Sequence, residues 1–186
     1  MKTLITIIFL SLLSSSCSVP DDDLVYRDGL YYKKFSEIPF SGKVTGLRNG
    51  LMKNGKEDGE WVINHDNGQL WSKGNYKNGE EEGVWVGYHE NGQLWSKGNY
   101  KNGEEEGEWV WYNIDGHLTS KGNYKNDKQE GEWVSYWDNS PYYELRSKGN
   151  YKNGLKHDAW VGYDKDGTLD KEVTGTYKNG VKITDW

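Results

Sequence analysis

The chain has 186 residues, a formal charge of -6 and a mean hydropathy of -0.98. This acidic balance, with no basic stripe, argues against nucleic acid or anionic lipid head groups as partners. Only 34% of residues are hydrophobic, which excludes a thick two-layer core, but ten Trp and fourteen Tyr supply large apolar faces with polar edges, and the 24 glycines fall at fixed offsets, as in a thin β-sheet.

The chain opens on Lys2, an apolar run over Leu4–Leu13 and then Ser14-Ser15-Ser16-Cys17. Residues 1–16 read as an export signal, too short for a membrane span. Cys17 is the sole cysteine, so the mature chain has no internal disulfide. The segment resembles a bacterial lipoprotein signal with a degenerate lipobox, Leu13 standing four places before Cys17. That resemblance implies lipidation of Cys17, and Ser18 after it implies an outer-membrane lipoprotein, periplasmic or surface-facing. The bland alternative is a plain signal peptide with a chance cysteine. Residues 17–23, with Pro20 and three aspartates, then read as lipidated cysteine and tether, and the lipid is the only expected membrane contact.

Residues 24–60 read as atypical capping hairpins. Leu24–Phe35 folds back at Arg27-Asp28-Gly29, and a further strand runs from Pro39 to about Arg48-Asn49-Gly50. Five residues separate Gly50 from Gly55 where eleven separate Gly68 from Gly79, so this unit is expected to lack much of a return strand.

From residue 61 to 186 the chain repeats. Tryptophans recur at Trp61, Trp85, Trp109 and Trp133 at intervals of 24, then at Trp160 and Trp186 after 27 and 26. Such regularity marks a repeat architecture. Each unit reads as an aromatic outgoing strand (Trp85–His89), an Asn91-Gly92 turn, a return strand (Gln93–Tyr100) and a second turn around Lys101–Gly107. No stretch has helical spacing. The predicted fold is all-β: an elongated single-sheet stack of antiparallel β-hairpins built from 24-residue repeats. The longer intervals place extra residues in the loop between Tyr136 and Leu145 and in a loosened strand around Asp170–Thr174.

Strand parity puts Leu94, Ser96, Gly98 and Tyr100 on one face and Trp95, Lys97 and Asn99 on the other. Leu94 and Tyr100, stacked on their equivalents, are expected to form the core ladder, with Gly98 leaving room for a neighbouring ring. The structural anchors are thus Trp61, Trp85, Trp109, Trp133, Trp160, Leu94, Gly98 and Tyr100. Trp85 and Tyr88 have opposite parity, so they face opposite ways or a bulge intervenes.

The unit resembles the MORN repeat in its bacterial exported variant. The resemblance is carried by Tyr-x-x-Gly-x-x-x-Gly-x-Trp, found as Tyr76, Gly79, Gly83, Trp85 and as Tyr100, Gly103, Gly107, Trp109. It covers 61–186 well and 24–60 loosely, with departures at Asp127, Asp158 and Thr184. It implies a one-sheet stack of hairpins used for attachment or scaffolding, in relatives sometimes classed as antitoxin or immunity-like.

The residues give no enzyme. No phosphate-binding glycine loop, thiol site or convergent acid–base pair is visible, and no cofactor is implied. His65 and His89 are equivalent one unit apart, too distant for zinc, and read as solvent-facing; no metal site is expected. Glu80, Glu81, Glu82, Glu104, Glu105 and Glu106 read as an acidic edge that keeps the sheet soluble or steers a basic partner. Trp71 and Trp95, extended by Trp111 or Trp137, form a candidate binding patch. The expected function is a non-enzymatic protein-binding or scaffold module on the cell envelope. Glycan or cell-wall binding and a periplasmic immunity role are the alternatives.

Overall fold

The structure is a computed structural model describing residues 18–138 and 144–186. Residues 1–16, read above as an export signal, Cys17 and residues 139–143 of the enlarged loop lie outside the described residues. Strands β1 (Ser18–Pro20), β2 (Leu24–Arg27), β3 (Leu30–Lys33), β4 (Gly42–Thr45) and β5 (Arg48–Lys53) precede the array. The array follows as β6 (Lys56–Asn64), β7 (Leu70–Lys77), β8 (Glu80–Tyr88), β9 (Leu94–Lys101), β10 (Glu104–Glu105), β11 (Gly107–Tyr112) and β12 (Leu118–Lys125). It continues through β13 (Lys128–Tyr136), β14 (Leu145–Lys152), β15 (Leu155–Gly162), β16 (Gly175–Lys178) and β17 (Val181–Thr184). One 15-stranded sheet runs antiparallel in chain order from β4 to β17, with β10 paired to β9 and β1 added parallel at the β4 edge; β2 and β3 form a separate two-stranded sheet. The all-β stack of hairpins is thus observed. No helix among the described residues is long and apolar enough to cross a membrane.

Two turn geometries alternate, although both use Asn-Gly. At Asn102-Gly103 both residues have positive φ, 52° and 78°, giving the two-residue turn whose twist matches the strands. At Asn91-Gly92 only the glycine does; Gly92 N–H donates to the His89 carbonyl, and His89 N–H to that of Gln93. The first kind lines one margin of the sheet and the second the other.

The core is a ladder of rings on one face. Trp61, Tyr76, Trp85, Tyr100, Trp109, Tyr124, Trp133, Tyr151 and Trp160 alternate edge to face, with centroids 4.9–6.4 Å apart. Each such pair contributes about 0.5–1.5 kcal/mol beyond area burial. Every anchor indole also donates to the carbonyl ten residues earlier, Trp85 to Asn75 and Trp109 to Asn99. Glycine makes this possible: a Cβ at Gly98 would lie 1.9 Å from the Trp109 ring. The room that sequence reserved at Gly98 is filled by the next unit's anchor.

Several expectations change. The tether is not free: β1 pairs with β4, Val19 is buried, and Asp21–Asp23 forms a 3-10 turn. The strand expected over 39–50 is two, broken at Gly46-Leu47, because Asn49 bonds to both backbone groups of Gly46. The return strand is present as β5; Gly50 carries the Trp61 ring and belongs with Gly74 and Gly98, not with Gly68.

Leu94 leaves the ladder. Gly87 pairs with Ser96 but Tyr88 with Leu94, so Trp95 is an extra, bulged residue. Paired residues share a side, so Leu94 joins Tyr88 on the face opposite Trp85 and Gly98. The bulge settles the Trp85–Tyr88 parity question. The same shift leaves Trp71, Thr119 and Arg146 unpaired in their units.

The irregular intervals behave as expected. Trp133 still pairs with Gly149 beyond the enlarged loop, and the segment before β16 loosens into a turn over 170–174. Trp186 keeps its ten-residue offset by donating to Thr176 Oγ1, yet it remains 59% exposed and completes no further rung.

Candidate functional site

The bulge decides where the tryptophan patch lies. Simple alternation sends Trp95 away from the ladder, but a bulged residue and its successor lean to one side. Trp95 therefore shares a cleft with Trp111 and Trp133, and a Cβ on Gly87 would meet its ring at 2.9 Å. Trp95 and, by the same bulge, Trp71 stand on the aromatic face, 43% and 44% exposed. Trp111 is held more firmly, nearly stacked on Trp109 at 5.8 Å and tilted against Trp133 at 5.6 Å.

Beyond Trp111 the face opens into a cleft of about 840 Å³. Its position follows from small residues coinciding in two repeat columns. The bulge column reads Trp71, Trp95, Thr119, Arg146, and the column two residues after the anchors reads Ile63, Gly87, Trp111, Ser135 and Gly162. Thr119 and Ser135 leave the space that Trp95 and Trp111 fill one unit earlier. Trp95 borders one end and Trp137 the other, over a floor of Ser120, Ser135, Ser147 and the Trp133 ring. Ser135 and Ser147 hydroxyls are 2.8 Å apart.

Trp137 is fixed because its indole donates to the Tyr163 carbonyl, one unit on. Above its ring stand the Arg146 guanidinium, 5.0 Å from the centroid, and Lys165 Nζ at 5.3 Å. Trp71 lies away from this cleft, against the His65 ring at 6.3 Å. The structure thus brings Trp95 and Trp137 to one cleft, with Trp111 in the small recess that adjoins it at Trp95, and leaves Trp71 outside both.

The histidines are not solvent-facing. His65 Nε2 donates to the Tyr88 carbonyl at 3.0 Å and His89 Nε2 to that of Tyr112 at 2.9 Å. Asn113 and Trp137 in the same column donate to Asp138 and Tyr163. What the column selects is an N–H that can bridge to the next unit, a role three different side chains fill. No group of three or more His, Cys, Asp and Glu is placed to hold a metal among the described residues.

The glutamates do stack along the margin of two-residue turns, but they do not all face outward. Glu81 and Glu105 pair across from Tyr76 and Tyr100, so they share the aromatic face. Glu82 and Glu106 accept the backbone N–H of Asn102 and Asn126 in the next turn, as Glu130 does from Asn153. Of the six read as an acidic edge, Glu80 and Glu104 are exposed and the other four half-buried. Burial, then nearby carboxylates, pushes the Tyr100 and Tyr124 phenols up to about 12, and Tyr76 still higher. Glu105 is also raised, by burial first and Asp127 second.

Compared with known proteins, residues 57–78, 81–102 and 105–126 match the MORN repeat variant. Each matched segment runs from one two-residue turn to the next, so over this part the family unit and the structural unit coincide. No curated protein matches the chain. Among solved structures, one chain from the crystal structure of a GtfA/B complex bound to UDP and GlcNAc is similar at 15% identity, with a TM-score of 0.22. The similarity covers 69% of this chain and 27% of that one, and nothing about this protein follows from a likeness so low.

Proposed function

We propose that the protein is a non-enzymatic binding scaffold, held at the cell envelope through Cys17, whose aromatic face receives a partner. The observation that carries this reading is the cleft: exposed rings at its rim, a polar floor, and a rigid ladder beneath. Rigid aromatic anchors around a recess are the usual currency of recognition, and a fixed sheet orders few groups on binding.

Sequence placed a protein partner first. The hydroxyl floor supports a glycan as the second reading, since sugars combine an apolar ring face with a polar rim. A photo-crosslinking residue placed at Thr119, in the cleft, and separately at Lys121, on the opposite face, tests the scaffold reading in intact envelopes. Adducts confined to position 119 are expected. Adducts confined to position 121, or none at either, would remove the aromatic face from the account.

A further inference from the structure

The cleft has three chemical parts. Trp95 and Trp111 give apolar ring surface, Ser120, Ser135 and Ser147 give hydroxyls, and Arg146 and Lys165 give charge at the far end. Neither Arg146 nor Lys165 forms an ion pair among the described residues, though both crowd the Trp137 ring. Two unpaired cations at one end of an aromatic recess suit an anion attached to something flat.

A peptide fits poorly. β12, β13 and β14 beneath the cleft are interior strands paired on both sides, so an extended peptide cannot add its main chain to the sheet. Ser135 and Ser147 satisfy each other only in part, since one hydroxyl proton of the pair is left over, and an apolar side chain laid on it would leave it without a partner. A polyanion without hydroxyl groups fits no better, because Asp115 and Asp138 also line the opening. Carboxylates there would instead accept from hydroxyl groups.

We infer that the cleft binds an oligosaccharide bearing a carboxylate, one ring against the Trp95 and Trp111 side and the carboxylate of a ring farther along between Arg146 and Lys165. This rests on the scaffold reading and names its ligand class. Arg146 and Lys165 choose the acid, the serines read the hydroxyls, and the tryptophans hold the ring. The ladder itself is untouched by binding.

The test is calorimetric titration of the full chain with tetragalacturonic acid, neutral galactotetraose and tetraglutamate. Tetragalacturonic acid is expected to bind, galactotetraose at least tenfold more weakly, and tetraglutamate not measurably. Arg146→Gln should weaken the acidic sugar about tenfold, the loss expected for one charged hydrogen bond. Thr119→Trp restores the residue found at Trp71 and Trp95, so it should close the cleft and abolish binding with the melting temperature unchanged. Equal affinity for both sugars, or binding that survives Thr119→Trp, would overturn the proposal. Binding of tetraglutamate alone would overturn it too while leaving a scaffold. Absent crosslinks at position 119 would sink the scaffold reading itself.

Discussion

The two ends of the ladder hold the same residue in opposite conditions. Trp61 is fully buried, with Val44 and Met52 beside it and Leu24, Tyr31 and Phe40 packed against them, whereas Trp186 is 59% exposed. The difference lies in the neighbours. At the N-terminal end the β2–β3 sheet closes over the last rung, and Arg48 ties it down: it bonds Glu57 at 2.8 Å and Tyr31 at 3.3 Å, and lies over the Trp61 ring at 5.0 Å. At the C-terminal end Lys182, not Trp186, lies over Gly175, and Val181 and Ile183 are exposed. An anchor tryptophan does not bury itself. In a stack held by nearest-neighbour contacts, burial is conferred by the adjoining unit.

This contrast breaks most sharply under truncation. Trp61→Ala should cost about 3–5 kcal/mol in urea unfolding, and Trp186→Ala less than about 1. Equal losses would mean that the cap contributes nothing. The glycines give the next effect: Gly98→Ala drives a methyl into the Trp109 ring and should cost about 1–3 kcal/mol. Arg48→Ala leaves Glu57, whose side chain is only 10% exposed, without its cation. A loss of about 1–2 kcal/mol is expected, discounted because Arg48 itself is partly solvated.

The tyrosines place the ladder's weakness on the pH axis. Folded phenols raised above the ordinary value of 10 hold their protons more tightly than unfolded ones, so the folded state binds more protons in that range. Their stabilisation is complete below pH 10 and is lost as pH rises towards 12. Alkaline titration should show tyrosinate absorbance and loss of β-signal rising together. Tyr100→Phe and Tyr124→Phe together should move that transition upward. Asp127→Asn gives the smallest effect: it keeps an acceptor for the Glu105 N–H and removes the charge that helps raise Glu105. Stability at neutral pH should rise by a few tenths of a kcal/mol, read from the same urea midpoint.

Much of this was legible because period and residue type agreed. A tryptophan and a strand glycine repeating together can only mean a ring over a missing side chain, and Asn-Gly can only turn. Gly50 stands 24 residues before Gly74, so the true start of the array was also in the numbering. The face of Leu94 and Trp95 was not legible. One bulged residue inverts every side chain beyond it, and its position depends on the pairing with the previous strand rather than on local sequence. The bridging column was hidden for a related reason: His65, His89, Asn113 and Trp137 look unalike until each is seen to donate to the next unit. The cleft became visible only once the bulge put Trp95 on the same side as Trp133.

The most direct measurement is site-resolved exchange of the tryptophan indole protons by NMR. Trp61, Trp85, Trp109, Trp133 and Trp160 each donate to a backbone carbonyl inside the ladder and should exchange slowly. Trp71 and Trp95, half-exposed on the same face, should exchange at nearly the solvent rate. Slow exchange at Trp71 and Trp95, or fast exchange at the anchors, would contradict both the ladder and the open rim on which binding depends.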